Sequence, residues 1–233
     1  MAATGALPDG RGGPHAFVED VEEPVLSTDD RHHLSKVLRL RYGDPLTVCD
    51  AAGHWRPARF GNRLEPSGDV VEVLPPAREV AVGFTLIKSG RPELVVQKLT
   101  ELGVDRILLL VAERSAVKWD DEKVTDNVER LARVVRESGM QSRRVRLPVL
   151  ESPQRVSVAT QGPGVAMAEP GGSGLDGDVG LLLIGPEDGW TAAELGDRRR
   201  VGLGSTVLRS ETAAIAAGAL MVALRDGRVA AGS

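Results

Sequence analysis

The chain has 233 residues, 42% of them hydrophobic, so it can hold one large or two small domains with buried cores. A net charge of −4 argues against a protein that coats nucleic acid by bulk charge, and no apolar run is long enough to span a membrane. The first thirteen residues resemble neither a signal peptide nor a transit peptide. We therefore expect a cytoplasmic globular protein.

The N-terminal third predicts a short tail followed by a small β-domain. Residues 1–13 contain four glycines and predict a disordered tail. From residue 14 to residue 76 the chain has four strand-like segments separated by turn residues, which predict a small β-barrel. One helical segment, TDDRHHLSKVLRL, interrupts them, with Thr28 or Asp29 as its N-cap. The pair Pro75–Pro76 marks a domain boundary. The strand-like segments are HAFVEDV, DPLTVCDAAG, HWRPARFG and DVVEVLP.

Cys49 is the only cysteine, so the chain has no internal disulfide and no cysteine-based metal cluster. A lone cysteine can act as a nucleophile. In LTVCDAAG, however, it falls within a strand-like run, and this position favours a packing role.

From residue 77 to residue 229, strand and helix patterns alternate. The segment 92–103 predicts a helix, and the segment 121–138 predicts a long amphipathic helix that ends at Gly139. Thr191 and Glu194 form a capping box, and EPGGSGLDGD predicts a flexible loop. This alternation indicates an α/β domain with a mostly parallel sheet and helices on both faces. Its predicted strands are AVGFTLI, RILLLVA, VAMAEP, VGLLLIG and RVGLG.

Basic residues concentrate in two segments of this acidic chain. The segment 130–146 has six arginines against one glutamate, a local charge of +5, and RHHLSKVLRLR adds three arginines and a lysine beside two histidines. A solvated helix face would show the same composition. Two such segments nevertheless favour a directed contact with RNA or another polyanion.

Two predicted strands end at glycines, Gly185 and Gly204, where a backbone without Cβ can approach a ligand closely. Parallel α/β sheets bind ligands at this edge. After the second strand, Ser210 can cap a helix, and Arg209 lies beside the helix N-terminus, where a cation needs an anionic partner. The common nucleotide, hydrolase and metal-binding motifs are absent, so ordinary strand-to-helix turns remain the alternative to a ligand site.

These segments resemble the RsmE family, the 16S rRNA (uracil-N3)-methyltransferases of the SPOUT (α/β-knot) superfamily. The resemblance runs from residue 17 to residue 224. It implies a PUA-like β-barrel over 14–76 that binds RNA, and a SPOUT methyltransferase domain over 77–229 with a deep trefoil knot at about 180–225. The segments that carry it are HHLSKVLRLRYGD, VVQKLTELGVDRILLLVAERS, QSRR, LLIGPEDGW and LGSTVLRSETA.

The resemblance also implies partners and chemistry. Members bind S-adenosyl-L-methionine in the knot, form a homodimer through it, and methylate N3 of a uridine in the decoding region of 16S rRNA in the small ribosomal subunit. It implies neither a metal nor a membrane. A SPOUT enzyme for another RNA position, or a non-catalytic ribosome-assembly protein, are the alternatives.

Carried over by motif, the resemblance assigns roles to individual residues. Arg209 and Glu211 would be catalytic, with Glu187 as a second candidate for accepting the N3 proton. Arg209 would face the cofactor carboxylate, the RNA phosphate or the target base. The small residues from Ala213 to Gly218 would allow close helix packing in the knot and the dimer interface. The family usually has glycine where Asp188 stands. The cofactor-binding residues would be Gly185, Pro186, Glu187, Gly189, Leu203, Gly204, Leu208, Thr212 and Ala213. The RNA-binding residues would be Lys36, Arg39, Gln141, Arg143 and Arg144.

Overall fold

The computed structural model describes residues 3–86, 91–115 and 121–230. The chain divides into two compact units. The first consists of Met1–Pro76 together with Arg136–Leu147, and the second of Ala77–Val135 together with Pro148–Ser233. The segment 136–147 belongs with the first unit because its apolar side chains, Val145 among them, cluster with residues of that unit's sheet.

Within the described residues of the first unit, six short strands form one mixed sheet. Its order is β1-β6-β4-β3-β2, with β5 paired to β4. The pairs β2–β3 and β1–β6 are parallel, and the pairs that β4 makes are antiparallel. The first strand lies in the segment for which the sequence predicts a disordered tail. The strands are β1 (Ala3–Thr4), β2 (His15–Phe17), β3 (Pro45–Cys49), β4 (His54–Arg59), β5 (Glu65–Pro66) and β6 (Val71–Glu72).

Helix α1 (Thr28–His32) continues into a π-helical turn, His33–Val37. The sequence prediction of its N-cap, Thr28 or Asp29, was wrong, because the N-cap is Ser27, whose Oγ accepts the hydrogen bond from the Asp30 backbone N–H. The buried Asp30 carboxylate accepts two further bonds, at 2.7 and 2.9 Å, from the Arg136 guanidinium. This bidentate pair holds α1 to the end of the long helix within the first unit.

Strand β3 buries side chains on both faces of the sheet. Leu46 and Val48 contribute to the main core, while Cys49 packs with Phe17 on the other face. Cys49 is 0% exposed, and burial raises the pKa of its thiol to about 12. The predicted packing role of Cys49 is thus confirmed, since a buried, protonated thiol is a poor nucleophile.

The second unit has a parallel sheet of order β12-β10-β11-β7-β8-β9, as the alternating sequence pattern predicts. No helix in the described part of the chain combines the length and the apolarity that a membrane span requires. The strands are β7 (Ala81–Thr85), β8 (Arg106–Val111), β9 (Val149–Arg155), β10 (Val165–Ser173), β11 (Leu181–Ile184) and β12 (Arg200–Val201). The helices are α2 (Arg91–Leu102), α3 (Asp121–Ser142), α4 (Val156–Ala159), α5 (Ala192–Leu195) and α6 (Ser210–Arg225), and residues 136–142 of α3 belong to the first unit.

The central strands are apolar throughout because both faces of the sheet are covered. On one face, Leu181 and Leu183 of β11 share a core with α4. The intervening side chains, such as Leu182, point to the opposite face, where α6 packs on β7, β11 and α2. A Cβ built on Gly218 would lie 2.6 Å from the Leu99 side chain, so the small residues of α6 let it approach α2 closely.

Three local predictions were wrong, or missed an element, for identifiable reasons. Helix α3 does not end at Gly139 but continues to Ser142, because Gly139 is a packing site where a Cβ would lie 2.3 Å from the Leu147 side chain. Arg143, with φ of 56°, follows the last helical residue. The predicted loop EPGGSGLDGD begins instead as the second half of β10. Strand β9 was missed because an edge strand tolerates its polar residues and Pro153.

We predict that His15 makes the first unit sensitive to mild acid. His15 is buried, with its ring nitrogens bonded to the Thr47 hydroxyl and the Arg144 carbonyl. Burial lowers its pKa from 6.5 to about 4, with a smaller contribution from Arg143. The unfolded chain therefore binds the proton more tightly. The contribution of the neutral His15 to the free energy of unfolding is fully present above pH 6.5 and is lost as the pH drops towards 4. The loss between pH 7 and pH 5 should be about 2 kcal/mol.

The measurement is the free energy of unfolding in urea at several pH values, followed through the NMR amide signals of β3 and β4. His15→Asn should be less stable at pH 7 but should lose this part of the pH dependence. Equal pH dependence in both proteins would contradict the prediction.

Candidate active site

A cavity of about 510 Å³ lies at the carboxyl edge of the second unit's sheet. It is lined by the second half of β10, the loop after β11, and the loop after β12 together with the start of α6. Small-molecule sites typically measure about 300–1,000 Å³ and occupy this edge of parallel α/β sheets. The cavity therefore has the size and position of a ligand site.

The loop after β11 is shaped by close packing between Gly185 and Trp190. A Cβ built on Gly185 would lie 2.9 Å from the buried Trp190 indole, so this position excludes a side chain. The indole N–H donates to the Ala168 carbonyl of β10 at 3.1 Å. A tight turn follows, in which the Gly189 N–H donates to the Pro186 carbonyl and Gly189 has φ of 71°. The indole thus fixes the loop against the neighbouring strand.

The loop after β12 is more open to solvent. Residues 204–207 and Arg209 are exposed, and Val207 is 83% exposed. Gly204 has φ of 153°, at the edge of the region that favours glycine. The backbone of this loop and its apolar side chains therefore face the cavity without being covered by the described residues of this unit.

Ser210 connects the two loops directly. Its side chain is buried, and the hydroxyl donates to the Gly185 carbonyl at 2.8 Å. The predicted capping role was therefore wrong, because Arg209 is the N-cap residue and makes no side-chain capping bond. The hydroxyl instead satisfies a carbonyl of the other loop and sets the spacing between them.

The loop after β8 supports the site from outside. Arg114 donates to the Asp188 carbonyl at 2.9 Å and, at 3.4 Å, to the Trp190 carbonyl. Thr191 and Glu194 form the capping box that the sequence predicts for α5, and a carboxylate oxygen of Glu194 also accepts from the Glu113 N–H. The loop after β8 is thereby linked to the loop after β11 and to α5.

The cavity lining carries charges of both signs. Glu169, Glu187 and Asp188 contribute carboxylates, and Arg209 contributes a guanidinium beside the N-terminus of α6. Among the described residues, no carboxylate lies within ion-pair distance of Arg209. Such a surface can receive a ligand with a cationic centre and also attract an anionic group near Arg209.

Nine of the eleven residues predicted for catalysis or cofactor binding line this cavity. Glu211 and Thr212 do not, although both lie in the first turn of α6. The nine are Gly185, Pro186, Glu187, Gly189, Leu203, Gly204, Leu208, Arg209 and Ala213.

Sequence reasoning missed the contribution of β10. Ala168, Glu169 and Pro170 reach the cavity because β10 lies between β11 and β12, a sheet order that strand patterns do not reveal. Trp190 was not singled out either, although an indole next to a glycine-rich turn is a readable packing signal.

The predicted RNA-binding residues all belong to the first unit. Lys36, Arg39 and Gln141 are exposed, and Arg143 and Arg144 are half-buried. Arg143 already has protein partners, since its guanidinium donates to the Gly13 carbonyl at 2.6 Å. Lys36 and Arg39 are therefore more available for an external anion than Arg143.

The lining fits S-adenosylmethionine in its chemistry. Ile184, Leu203 and Leu208 offer apolar surface for an adenine ring, the glycines permit close backbone contact, and the carboxylates suit a sulfonium and an ammonium group. In the ranges that the structure describes, no group of three or more His, Cys, Asp or Glu side chains is arranged to hold a metal ion.

The chain is similar to known RNA methyltransferases. Residues 75–222 match a family model described as an RNA methyltransferase domain. A ribosomal RNA small subunit methyltransferase E of Mycobacterium bovis is 33% identical over 226 residues, which cover 85% of this chain and 86% of that protein.

Two solved structures extend the comparison to the fold. A methyltransferase of Legionella pneumophila in complex with SAM has a TM-score of 0.79 and 26% identity, covering 90% of this chain and 96% of that one. A ribosomal RNA small subunit methyltransferase E of Neisseria gonorrhoeae bound to S-adenosyl methionine shares the fold, with a TM-score of 0.74, 23% identity, and coverage of 89% and 96%. The chain therefore belongs to the ribosomal RNA small subunit methyltransferase E (RsmE) family of SPOUT RNA methyltransferases.

Proposed function

We propose that this protein transfers a methyl group from S-adenosylmethionine to N3 of a uridine in the decoding region of 16S rRNA. The observation that carries the proposal is the cavity formed by the two glycine loops at the carboxyl edge of the parallel sheet. It lies in the part of the chain that matches the RNA methyltransferase domain. Two proteins that share the fold of this chain have been solved with S-adenosylmethionine bound.

The cofactor would lie between the two loops. Gly185 and Gly204 would allow backbone contact, Leu203 and Leu208 would pack against its adenosine, and Glu187 would face its positive charge. When bound, S-adenosylmethionine supplies an electrophilic methyl group on a sulfonium sulfur. The task of the protein is then to place the uridine nitrogen in line with that methyl group and to exclude water.

Methylation at N3 requires the loss of the N3 proton, which leaves negative charge on the base. Arg209 is exposed, lines the cavity and lies at the N-terminus of α6, where the helix dipole also favours negative charge. It would stabilise the deprotonated uracil while that base attacks. Glu187 lines the cavity whereas Glu211 does not, so we assign the proton to the Glu187 carboxylate.

Family membership supports a proposal for the remaining architecture. The first unit would be the PUA-like barrel that holds rRNA through phosphate contacts, with Lys36 and Arg39 among the cations. The second would be the SPOUT domain, in which the segment of about 180–225 forms the trefoil knot and the dimer interface. Enzyme and substrate would meet in the cytoplasm.

We predict that Gly185→Ala weakens cofactor binding at least tenfold, about 1.4 kcal/mol. The new Cβ would collide with the Trp190 indole and displace the loop. Gly174→Ala is the matched control, because a Cβ there meets no atom within 4 Å. Calorimetric titration with S-adenosylmethionine measures both. If the Gly185 variant binds S-adenosylmethionine with unchanged affinity, the loop after β11 does not contact the cofactor.

We predict that Arg209→Ala lowers kcat by about 10²- to 10³-fold, with the Kd for S-adenosylmethionine within about threefold of the original. The loss should lie in kcat because the charge on the base develops only as the proton leaves. Arg209→Lys should recover part of the rate. A Kd raised in proportion to the lost rate would instead make Arg209 a cofactor ligand.

The assignment of the base is tested in the same assay. Glu187→Gln should lower kcat by about 10²-fold or more, and Glu211→Gln should leave kcat within about threefold of the original. The opposite pattern would move the proton to Glu211.

The proposed function is tested by incubating the protein with methyl-labelled S-adenosylmethionine and small subunits that lack the modification. Primer extension stops at a base methylated on its pairing face, so we expect one cofactor-dependent stop at a decoding-region uridine. A stop elsewhere would identify a SPOUT enzyme for another position. Binding without label would favour a non-catalytic assembly protein.

A further inference from the structure

Tyr42, the only tyrosine of the chain, is exposed in the first unit just beyond the π-helical turn. Its exposed fraction is 73%, unusual for a large ring that also makes specific contacts. None of the roles assigned above involves it. Unlike a mobile surface side chain, the ring is fixed by contacts with its neighbours.

The ring is held at its tip and along one edge. The hydroxyl donates to the Glu65 carboxylate of β5 at 2.8 Å. A Cβ built on Gly61 would lie 3.0 Å from Cε2 and 3.4 Å from Cδ2 of Tyr42, so the ring occupies the space that a side chain at Gly61 would take. The bond to Glu65 also raises the pKa of Tyr42, so the donor stays protonated.

The turn that carries Tyr42 is fixed as well. The Gly43 N–H donates to the Phe60 carbonyl at 2.8 Å, and the Gly43 carbonyl accepts from the Arg59 guanidinium at 3.0 Å. Ring and backbone are therefore ordered before any partner arrives. Pre-organisation of this kind reduces the conformational entropy lost on binding.

Basic residues flank the ring in the sequence. Lys36, Arg39 and Arg41 are exposed within six residues before it, and Arg63 is exposed near Gly61. The nearby carboxylates have internal partners, since Glu65 accepts from Tyr42 and Asp44 accepts from the Arg41 N–H. A partner that lies against this ring therefore meets an aromatic surface bordered by positive charge.

We propose that Tyr42 is a stacking platform for one unpaired base of the rRNA substrate, with Arg39 and Arg41 contacting the adjoining phosphates. RNA recognition of this kind combines bases stacked on aromatic rings with cations along the backbone. The cationic border favours a nucleotide over an apolar protein segment, which would leave those charges unpaired. The inference rests on the proposed action on rRNA.

The first test measures the affinity for naked 16S rRNA over a range of salt concentrations. Tyr42→Ala should weaken binding about 5- to 100-fold without changing the salt slope, because stacking releases no counterions. Tyr42→Trp should keep the affinity. Arg39→Ala should lower the slope by about one. Val25→Ala removes another exposed apolar side chain of this unit and should have no effect.

Equal affinity of Tyr42→Ala and the original protein would overturn the platform and leave the proposed function intact. If the original protein binds S-adenosylmethionine but binds neither 16S rRNA nor small subunits, the proposed function and the platform fail together. Unchanged NMR amide signals of β3 and β4 in Tyr42→Ala show that the first unit, which carries Tyr42, is still folded.

The second test uses the single tyrosine as a spectroscopic probe. Protein labelled with 3-fluorotyrosine has one fluorine resonance, which should move upfield when naked 16S rRNA is added and a base stacks on the ring. A shift with whole small subunits but none with naked rRNA would mean a protein contact and would overturn the proposal.

Discussion

The candidate active site depends on the hydrogen bond from the Ser210 hydroxyl to the Gly185 carbonyl. This bond joins the first residue of α6 to Gly185, the residue after β11, whose lack of a side chain leaves room for the Trp190 indole. A single bond of this kind contributes about 1 kcal/mol to stability. Its larger effect is positional, because the residues on either side of it, Arg209 and Pro186, both line the cavity.

The same arrangement separates two charges that the proposed reaction needs. A methyl donor is cationic, whereas the base that attacks it becomes anionic, so the site must favour both signs at different points. The carboxylates come from the loop after β11 and from β10, and the guanidinium comes from the N-terminus of α6. The Ser210–Gly185 bond holds these sources at a fixed spacing, as electrostatic preorganisation requires.

Much of the secondary structure of the second unit could be predicted from the sequence, because its strands are buried on both faces. The continuous apolar runs of β8 and β11 predict buried strands, and the glycines that follow the strands mark the edge where the cavity lies. The order of the strands in the sheet could not be predicted from the sequence, so Glu169 was not recognised as a residue that lines the cavity. The end of α3 was predicted wrongly at Gly139, because a glycine that permits close packing inside a helix looks the same in sequence as a glycine that ends one. Whether Glu187 or Glu211 faces the cavity depends on the direction of the α6 axis, which short-range patterns do not encode.

The burial of Cys49 also has a practical side. It is the only thiol of the chain, it lies in a closed apolar cluster, and its high pKa keeps it unreactive near neutral pH. A cysteine introduced at an exposed position such as Val207 would therefore be the one site that maleimide reagents modify. Fluorophores or spin labels can be attached to the rim of the cavity without first removing the native cysteine, and the movement of the loop can be followed in otherwise unaltered protein.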